Sequence, residues 1–292
     1  MNRAETHRFQ RAGGELFYRS WRSDTEGPAL VMLHGLASNS TRWRELAECL
    51  TTDRRVKVFA PDLRGHGHSV YRGRLRRSDW VEDLSALIER EGCRSAVIGG
   101  HCLGANLALR FALERPEQTA GLVLVEPMLP GALTGVTARI RPVRWLLPLL
   151  AAPVRLLNVL GLYRRRLPVL DLTELDCQTR AAMAEHESHD AMLERYARPT
   201  GDLKYMPVAT YLQALYQVLR DVGDIGRISA PVLALLSNGA LLADPERSRR
   251  LLGALPAVEI EQFDALHWIP TEQPEAMTRA IGRFMDRAVG AG

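Results

Sequence analysis

Six short apolar runs alternate with longer amphipathic stretches along the 292 residues of this chain. Each run ends at small or polar residues. Short buried runs separated by helical stretches are typical of a largely parallel sheet that is covered by helices. We therefore predict the α/β fold class, with a mostly parallel, doubly wound sheet. The predicted strands are Ala29 to Leu33, Val56 to Ala60, Ser95 to Gly99, Gly121 to Val125, Pro231 to Leu236 and Ala257 to Gln262.

The strand rhythm stops after Glu126 and returns only after about residue 226. We interpret residues 127–226 as an inserted helical cap, and residues 1–126 and 227–292 as the core domain. Helices over the carboxyl ends of the strands would exclude water from a crevice there. An ordinary set of packing helices is the other interpretation.

The cap contains a leucine-rich stretch, Arg144 to Arg166, with arginines at its ends. We interpret this stretch as a buried helix pair whose arginines reach solvent with their charged ends. A groove for a lipid or a long acyl chain is the alternative.

The charge balance argues against a nucleic-acid partner. The chain has 38 basic and 34 acidic residues, a net charge of +4, and the arginines are dispersed rather than clustered into a basic footprint. Apolar residues make up 46% and charged residues 25% of the chain, which excludes a disordered or disulfide-stapled protein.

The four cysteines show neither a C-x-x-C pair nor the spacing of metal ligands. We therefore predict reduced thiols in a cytoplasmic protein, with no metal site and no cofactor. The first residues lack the apolar segment of a signal peptide, and no apolar run reaches the ~18 residues that a membrane span needs. We expect no signal peptide and no transmembrane segment.

The most specific motif is Gly100-His101-Cys102-Leu103-Gly104, between a predicted strand and a predicted helix. A residue at the tip of such a turn has strained backbone angles, so the positions two before and two after it must be nearly free of side chain. The turn presents the Cys102 thiol at the start of a helix, where the dipole favours the thiolate. We interpret His101 as a packing residue.

Three further motifs extend this pattern, and together the four motifs resemble the α/β-hydrolase superfamily over most of the chain. They are Leu33-His34-Gly35-Leu36, Asp62-Leu63-Arg64-Gly65-His66-Gly67-His68-Ser69, and Phe263-Asp264-Ala265-Leu266-His267-Trp268 followed by Glu272-Gln273-Pro274-Glu275. The resemblance implies that Cys102 is the nucleophile and His267 its base. It also implies that the backbone N–H groups of Leu36 and Leu103 form the oxyanion hole.

The chain departs from the family pattern at two positions. Cysteine replaces the usual serine nucleophile, and the usual aspartate position after the strand Pro231 to Leu236 falls on Ala240. Glu126, at the end of another strand, is our first candidate for the acid that orients His267. Asp244 is the second candidate, and a Cys-His pair without an acid is the third possibility.

A cysteine at this turn favours covalent acyl transfer through an acyl-thioenzyme. We predict hydrolysis of an ester or thioester, with an apolar acyl group held by the cap leucines. The partner would be a small-molecule acyl substrate, possibly bound to a carrier as a thioester. The alternatives are an acyltransferase or macrocyclising cyclase, a non-catalytic binder on the same fold, and a serine hydrolase in which cysteine was substituted to trap the acyl group.

Overall fold

The protein is described by a computed structural model over residues 3–22, 24, 26–185, 199–239 and 241–288. Eight strands form one sheet in the order β1-β2-β4-β3-β5-β6-β7-β8. Their bounds are β1 Glu5–Arg11, β2 Gly14–Trp21, β3 Ala29–Leu33, β4 Lys57–Pro61, β5 Ala96–His101, β6 Thr119–Val125, β7 Val232–Ser237 and β8 Val258–Phe263.

The sheet confirms the predicted fold class. All six predicted runs are strands, with bounds within two residues of those predicted, and the pairs from β4 to β8 are parallel. The α-helices of the described residues are α1 Arg44–Asp53, α2 Arg77–Arg90, α3 Leu103–Glu114, α4 Gly135–Ile140, α5 Leu146–Val159, α6 Leu172–Ala184, α7 Pro199–Asp202, α8 Val208–Val218, α9 Pro245–Leu252, α10 Ile269–Glu272 and α11 Pro274–Ala288.

An antiparallel hairpin, β1 and β2, adds an edge that the sequence analysis did not include. It pairs through β2 with β4, also antiparallel. The turn contains Gly13 with φ +91°, a left-handed conformation that favours glycine. The dipeptide Gly13-Gly14 between two alternating stretches was the available hairpin signal.

Two apolar layers hold the sheet between helices. Successive side chains of a strand point to opposite faces, and β3 shows this directly: Val31 and Leu33 lie in one buried cluster, whereas Leu30 and Met32 lie in the other. The carboxyl ends of the parallel strands therefore meet at one edge, with a rigid layer on each side.

The described residues between β6 and β7 contain helices and no strand of the sheet. The division into a cap domain and a core domain remains a prediction. Helix α6 docks on the 3-10 helix Ser40–Trp43: the Thr41 hydroxyl accepts the Leu172 N–H at 2.9 Å and the Thr173 hydroxyl donates to the Thr41 carbonyl at 2.9 Å.

The leucine-rich stretch differs from its predicted arrangement. Helix α5 packs on α8, but Ala151 is the only buried residue of its 14. Leucines such as Leu149 and Leu156 are exposed. The prediction of a buried helix pair is therefore wrong. Helical periodicity identifies an apolar stripe but does not show what covers it.

No helix in the described part of the chain is long and apolar enough to cross a membrane.

Candidate active site

A sharp turn carries the chain from β5 into α3, with Cys102 at its tip. The Cys102 backbone has φ 55° and ψ −110°, a strained conformation that costs a non-glycine residue about 1–3 kcal/mol. A Cβ at Gly100 would lie 2.4 Å from the carbonyl carbon of Gly104, and a Cβ at Gly104 would lie 2.3 Å from the carbonyl oxygen of Leu33. Only glycine fits at either position. The Cys102 side chain is partly exposed.

The loop after β3 runs beside this turn. Its His34 ring donates from Nδ1 to the Gly35 carbonyl at 2.8 Å and accepts the Leu63 N–H at Nε2 at 2.9 Å. Burial lowers the pKa of His34 to about 4, so the ring is neutral, as these two bonds require. A Cβ at Gly35 would lie 3.5 Å from the Cβ of Cys102.

The two residues predicted for the oxyanion hole lie at this junction. Leu103 is the first residue of α3, so its N–H has no acceptor within the helix. Leu36 follows Gly35 and packs, like Cys102, against the buried cluster that includes Leu103. The role of these two N–H groups as an oxyanion hole remains a prediction.

The structure brings Glu126, His267 and Cys102 together. His267 is 2% exposed, and its Nδ1–H donates to Glu126 Oε2 at 3.0 Å. The Cys102 side chain lies next to the His267 ring and raises the pKa of this histidine. Since Nδ1 is bonded to Glu126, Nε2 is the ring atom left for the thiol. A carboxylate, an imidazole and a thiol thus follow one another in the site.

The Glu126 carboxylate is held from a neighbouring strand. Its Oε1 accepts the backbone N–H of Ser237, the last residue of β7, and the Glu126 N–H donates to the Leu235 carbonyl at 3.0 Å. Glu126 has φ 49°, a left-handed conformation that is uncommon for a non-glycine residue. The backbone bends here to aim the carboxylate at His267.

The second candidate acid, Asp244, has a different role. Its carboxylate accepts the Arg247 N–H at 2.9 Å and caps helix α9, and it also pairs with the Arg247 guanidinium at 3.7 Å. The structure brings Glu126, and not Asp244, to the His267 ring. Ala240, the vacant aspartate position, lies outside the described residues.

Glu272 holds the loop that carries His267. Its carboxylate accepts three consecutive backbone N–H groups, from Leu266 at 2.9 Å, His267 at 3.3 Å and Trp268 at 3.0 Å. A carboxylate satisfying three donors fixes the backbone that positions the ring. In the sequence, Glu272 is part of the motif that follows the histidine loop, and the motif alone assigns it no role.

His101 holds the same loop from the other side. Its Nε2–H donates to the His267 carbonyl at 3.0 Å, and burial lowers the pKa of His101 well below its ordinary value. The neutral ring is therefore a hydrogen-bonded support for the histidine loop, which is more than the packing role expected for it.

A buried ion pair connects α6 to the histidine loop. The Arg42 guanidinium binds the Asp176 carboxylate and donates to the Thr271 hydroxyl at 2.7 Å. That hydroxyl donates to Asp176 at 3.0 Å. One network thus joins α6, the 3-10 helix after β3 and α10. Asp176 lies mid-helix in an ordinary polar stretch, so nothing in the sequence indicated this link.

The electrostatics of His267 favour its charged form. Burial lowers the pKa of His267, but hydrogen bonds and charge interactions with Cys102 and Glu126 outweigh it and raise the pKa to about 10. A charged His267 can donate a proton to a leaving group. Among the residues that the structure describes, no three His, Cys, Asp or Glu side chains form a metal-binding group.

The profile of a hydrolase family described as serine aminopeptidase, S33, matches residues 26–272. The chain belongs to this family. Its members share the α/β-hydrolase fold, and the protein is an α/β-hydrolase enzyme.

Individual relatives agree with this assignment. The chain is 23% identical to the sn-1-specific diacylglycerol lipase ABHD11 of Mus musculus over 92% of this chain and 85% of the relative. It is 27% identical to the magnesium-chelatase 30 kDa subunit of Rhodobacter capsulatus over 85% of this chain and 84% of the relative. A solved esterase from Thermogutta terrifontis has a TM-score of 0.70 and 21% identity, covering 98% of this chain and 99% of that one, which shows the shared fold.

Proposed function

We propose that the protein hydrolyses esters or thioesters through a covalent acyl-thioenzyme on Cys102. The observation that carries the proposal is the His267 ring, which is hydrogen-bonded to Glu126 at 3.0 Å and lies next to the Cys102 thiol. A nucleophile, a base and an orienting acid in this order are the requirements of nucleophilic acyl transfer.

In the first half-reaction His267 takes the proton of the Cys102 thiol, the sulfur attacks the substrate carbonyl, and a C–S bond forms. The carbonyl oxygen becomes an oxyanion, which the N–H groups of Leu36 and Leu103 stabilise. When this intermediate collapses, the bond to the leaving alcohol or thiol breaks. His267 gives the leaving group its proton, and Glu126 keeps the ring oriented for that transfer.

In the second half-reaction His267 takes a proton from water, and the hydroxide attacks the acyl-thioenzyme. The C–S bond breaks, a carboxylic acid leaves, and the proton returns to the Cys102 sulfur. An alcohol or amine in place of the water would give acyl transfer or ring closure, which are the runner-up outcomes.

The substrate we propose has an apolar acyl group. Cys102 and Leu36 both pack against a buried apolar cluster, and so does Leu147 on the inner side of α5. Each methylene that leaves water there contributes ~0.8 kcal/mol, a severalfold preference per carbon. One of the relatives is named as a diacylglycerol lipase, and a diacylglycerol carries apolar acyl groups.

A second candidate is a non-catalytic role on the same fold, since fold alone does not imply activity. The relative named as a magnesium-chelatase subunit favours it. The intact chain of Glu126, His267 and Cys102 argues against it, because a binder has no need of an oriented imidazole next to a thiol.

A product assay separates these functions. Acyl thioesters and acyl p-nitrophenyl esters of increasing chain length are incubated with the protein, and the free acid, ester and amide products are quantified. We expect many equivalents of free acid, with rates rising with chain length. Release of no product at any length would contradict the proposal. Consumption of one equivalent without further turnover would identify the cysteine as an acyl trap.

A further inference from the structure

We infer that the outer face of α5 docks on an anionic lipid bilayer. This face is a stripe of apolar residues at helical spacing, Leu146, Leu149, Leu150, Pro153, Leu156, Leu157 and Leu160. The inference concerns how the protein is localised at a surface, and it does not depend on the chemistry proposed for Cys102.

The apolar residues of this face are exposed. Its leucines and the adjacent Val159 range from 38% exposed at Leu146 to 83% at Val159. The opposite side of α5 packs on α8, with Ala151 buried and Arg155 Nη1 donating to Gln213 at 3.1 Å. A helix that is apolar on both sides normally has both sides covered, and a contiguous exposed patch of this kind marks an interaction site.

The ends of the helix have the side chains that anchor a helix at a membrane surface. Trp145 precedes the stripe and is 57% exposed, and Tyr163 follows it and is 43% exposed. Tryptophan and tyrosine rings prefer the level of the lipid headgroups. The pattern of an aromatic residue at each end of an apolar helix suits a helix that lies in the interface plane.

The charge around α5 matches an anionic surface. Residues 127–170 contain seven arginines and no Asp or Glu, a net charge of +7. The whole chain has a net charge of +4, so the rest of the chain carries −3. The segment that exposes the leucines is therefore positively charged although the rest of the chain is negative, and each arginine near an anionic membrane adds about 1 kcal/mol of attraction.

The arginines after Tyr163 are placed to bind phosphate groups. Arg165 and Arg166 are exposed and share an open groove with Arg72. The Arg72 guanidinium stacks 4.4 Å from the Tyr163 ring centroid, which holds it next to the end of the stripe. Guanidinium groups bind phosphate oxygens bidentately, and lipid headgroups would present them here.

The length of α5 favours lying on the bilayer over crossing it. Its 14 residues extend about 21 Å, less than the ~30 Å of the hydrocarbon core. An acidic protein partner would satisfy the arginines. It would leave unexplained a stripe of leucines flanked by aromatic rings, because protein interfaces are enriched in aromatic residues at their centre.

The chain contains its own probe for this contact. Of the five tryptophans, Trp21, Trp43, Trp80 and Trp268 are buried, whereas Trp145 is exposed. Phosphatidylcholine vesicles, with and without phosphatidylglycerol, are added to the full chain while tryptophan emission and vesicle co-flotation are recorded. We expect a blue shift and co-flotation with the anionic vesicles that weaken as salt increases. The Trp145→Phe variant should lose the shift and keep the co-flotation.

Two variant pairs assign the binding to this face. Leu149→Ser with Leu156→Ser, and separately Arg165→Gln with Arg166→Gln, should each weaken partitioning by about tenfold or more. The matched control removes two exposed arginines from α11, Arg279→Gln with Arg283→Gln, and should partition like the wild type. Cys102→Ala should also partition like the wild type, because the inference is independent of catalysis.

Three results would overturn the inference. The first is equal partitioning into vesicles of the wild type and of the Leu149→Ser, Leu156→Ser double variant. The second is a wild-type protein that binds neither kind of vesicle. The third is a wild-type dimer in light scattering that the leucine pair converts to a monomer without any vesicle binding, which would assign the face to a second copy of the chain. Circular dichroism of each variant excludes unfolding as the cause.

Discussion

The loops around His267 and the helix α5 both contain groups that need partners, and they differ in where those partners are. In the site, the buried carboxylate of Glu126, the partly buried carboxylate of Glu272 and the ring of His101 are all hydrogen-bonded within the chain. On α5, an entire apolar stripe is exposed to solvent. The first region is complete in itself, whereas the second indicates a partner outside the chain.

The free-energy cost of a missing partner differs between the two regions. A buried polar group without a partner costs about 1–3 kcal/mol, so a site of this kind must be organised in advance by its own backbone. An exposed leucine costs little in the isolated protein, so the stripe on α5 can persist until it meets an apolar surface.

Removal of the thiol should have the largest effect. Cys102→Ala leaves no nucleophile, and we expect acyl-ester turnover to fall by at least about 10³-fold. The side chain is partly exposed, so the melting temperature should change little. Turnover close to that of the wild type would show that the chemistry does not pass through Cys102.

Replacement of the orienting acid should be the next largest effect. In Glu126→Gln the amide no longer offers His267 a charged acceptor, and we expect turnover to fall by about 10²-fold or more. Asp244→Asn is the matched control, because this carboxylate caps α9. It should leave turnover unchanged and cost at most about 1 kcal/mol of stability. A dead Asp244→Asn beside an active Glu126→Gln would reverse the assignment.

Loosening of the histidine loop should have an intermediate effect. Glu272→Gln replaces one acceptor oxygen of the carboxylate with an NH₂ donor that faces backbone N–H groups. We expect kcat to fall by about tenfold with KM nearly unchanged, because the ring is less well positioned. A rise in KM with kcat unchanged would show that Glu272 supports substrate binding and not the positioning of His267.

The pH dependence of stability should report the state of His267. Its pKa is raised from 6.5 to about 10 in the folded protein, so the folded state binds this proton more tightly than the unfolded state does. The resulting stabilisation is fully present below about pH 6.5 and is lost as the pH rises through about 10. We expect the melting temperature of the wild type to fall more steeply over this interval than that of His267→Gln. Parallel curves would contradict the raised pKa.

The smallest effect is expected on the outer face of α5. Leu50 is fully buried and Leu156 is 62% exposed, so the same substitution can be compared in two surroundings. Leu50→Ala should cost about 2–5 kcal/mol of the free energy of unfolding. Leu156→Ala should change it by less than about 0.5 kcal/mol. A comparable loss at both positions in urea denaturation would show that the stripe is part of the core.

The sequence was most informative where steric demands leave one choice. The six apolar runs predicted the sheet. The glycines around Cys102 predicted the turn, because a Cβ at Gly100 or Gly104 would collide with backbone. Glu126 could be proposed as the acid because it ends a predicted strand at a position from which some members of the resembled superfamily present their acid.

Other features depend on contacts that the sequence does not encode locally. The antiparallel hairpin β1 and β2 rests on a tight turn with weak flanking signals. The ion pair of Arg42 and Asp176 joins residues 134 positions apart. The leucines on the outer face of α5 are exposed. The spacing of leucines predicts an apolar stripe but does not show whether another element covers it.

The central claim is that Cys102 carries the acyl group, and intact-mass spectrometry tests it directly. The wild-type protein is mixed with an acyl thioester and quenched with acid within the first turnover. We expect a mass increase of one acyl group, localised by peptide mapping to the peptide that contains Cys102 and absent from Cys102→Ala. An acyl group on another residue, or rapid product formation with no adduct at any quench time, would contradict it.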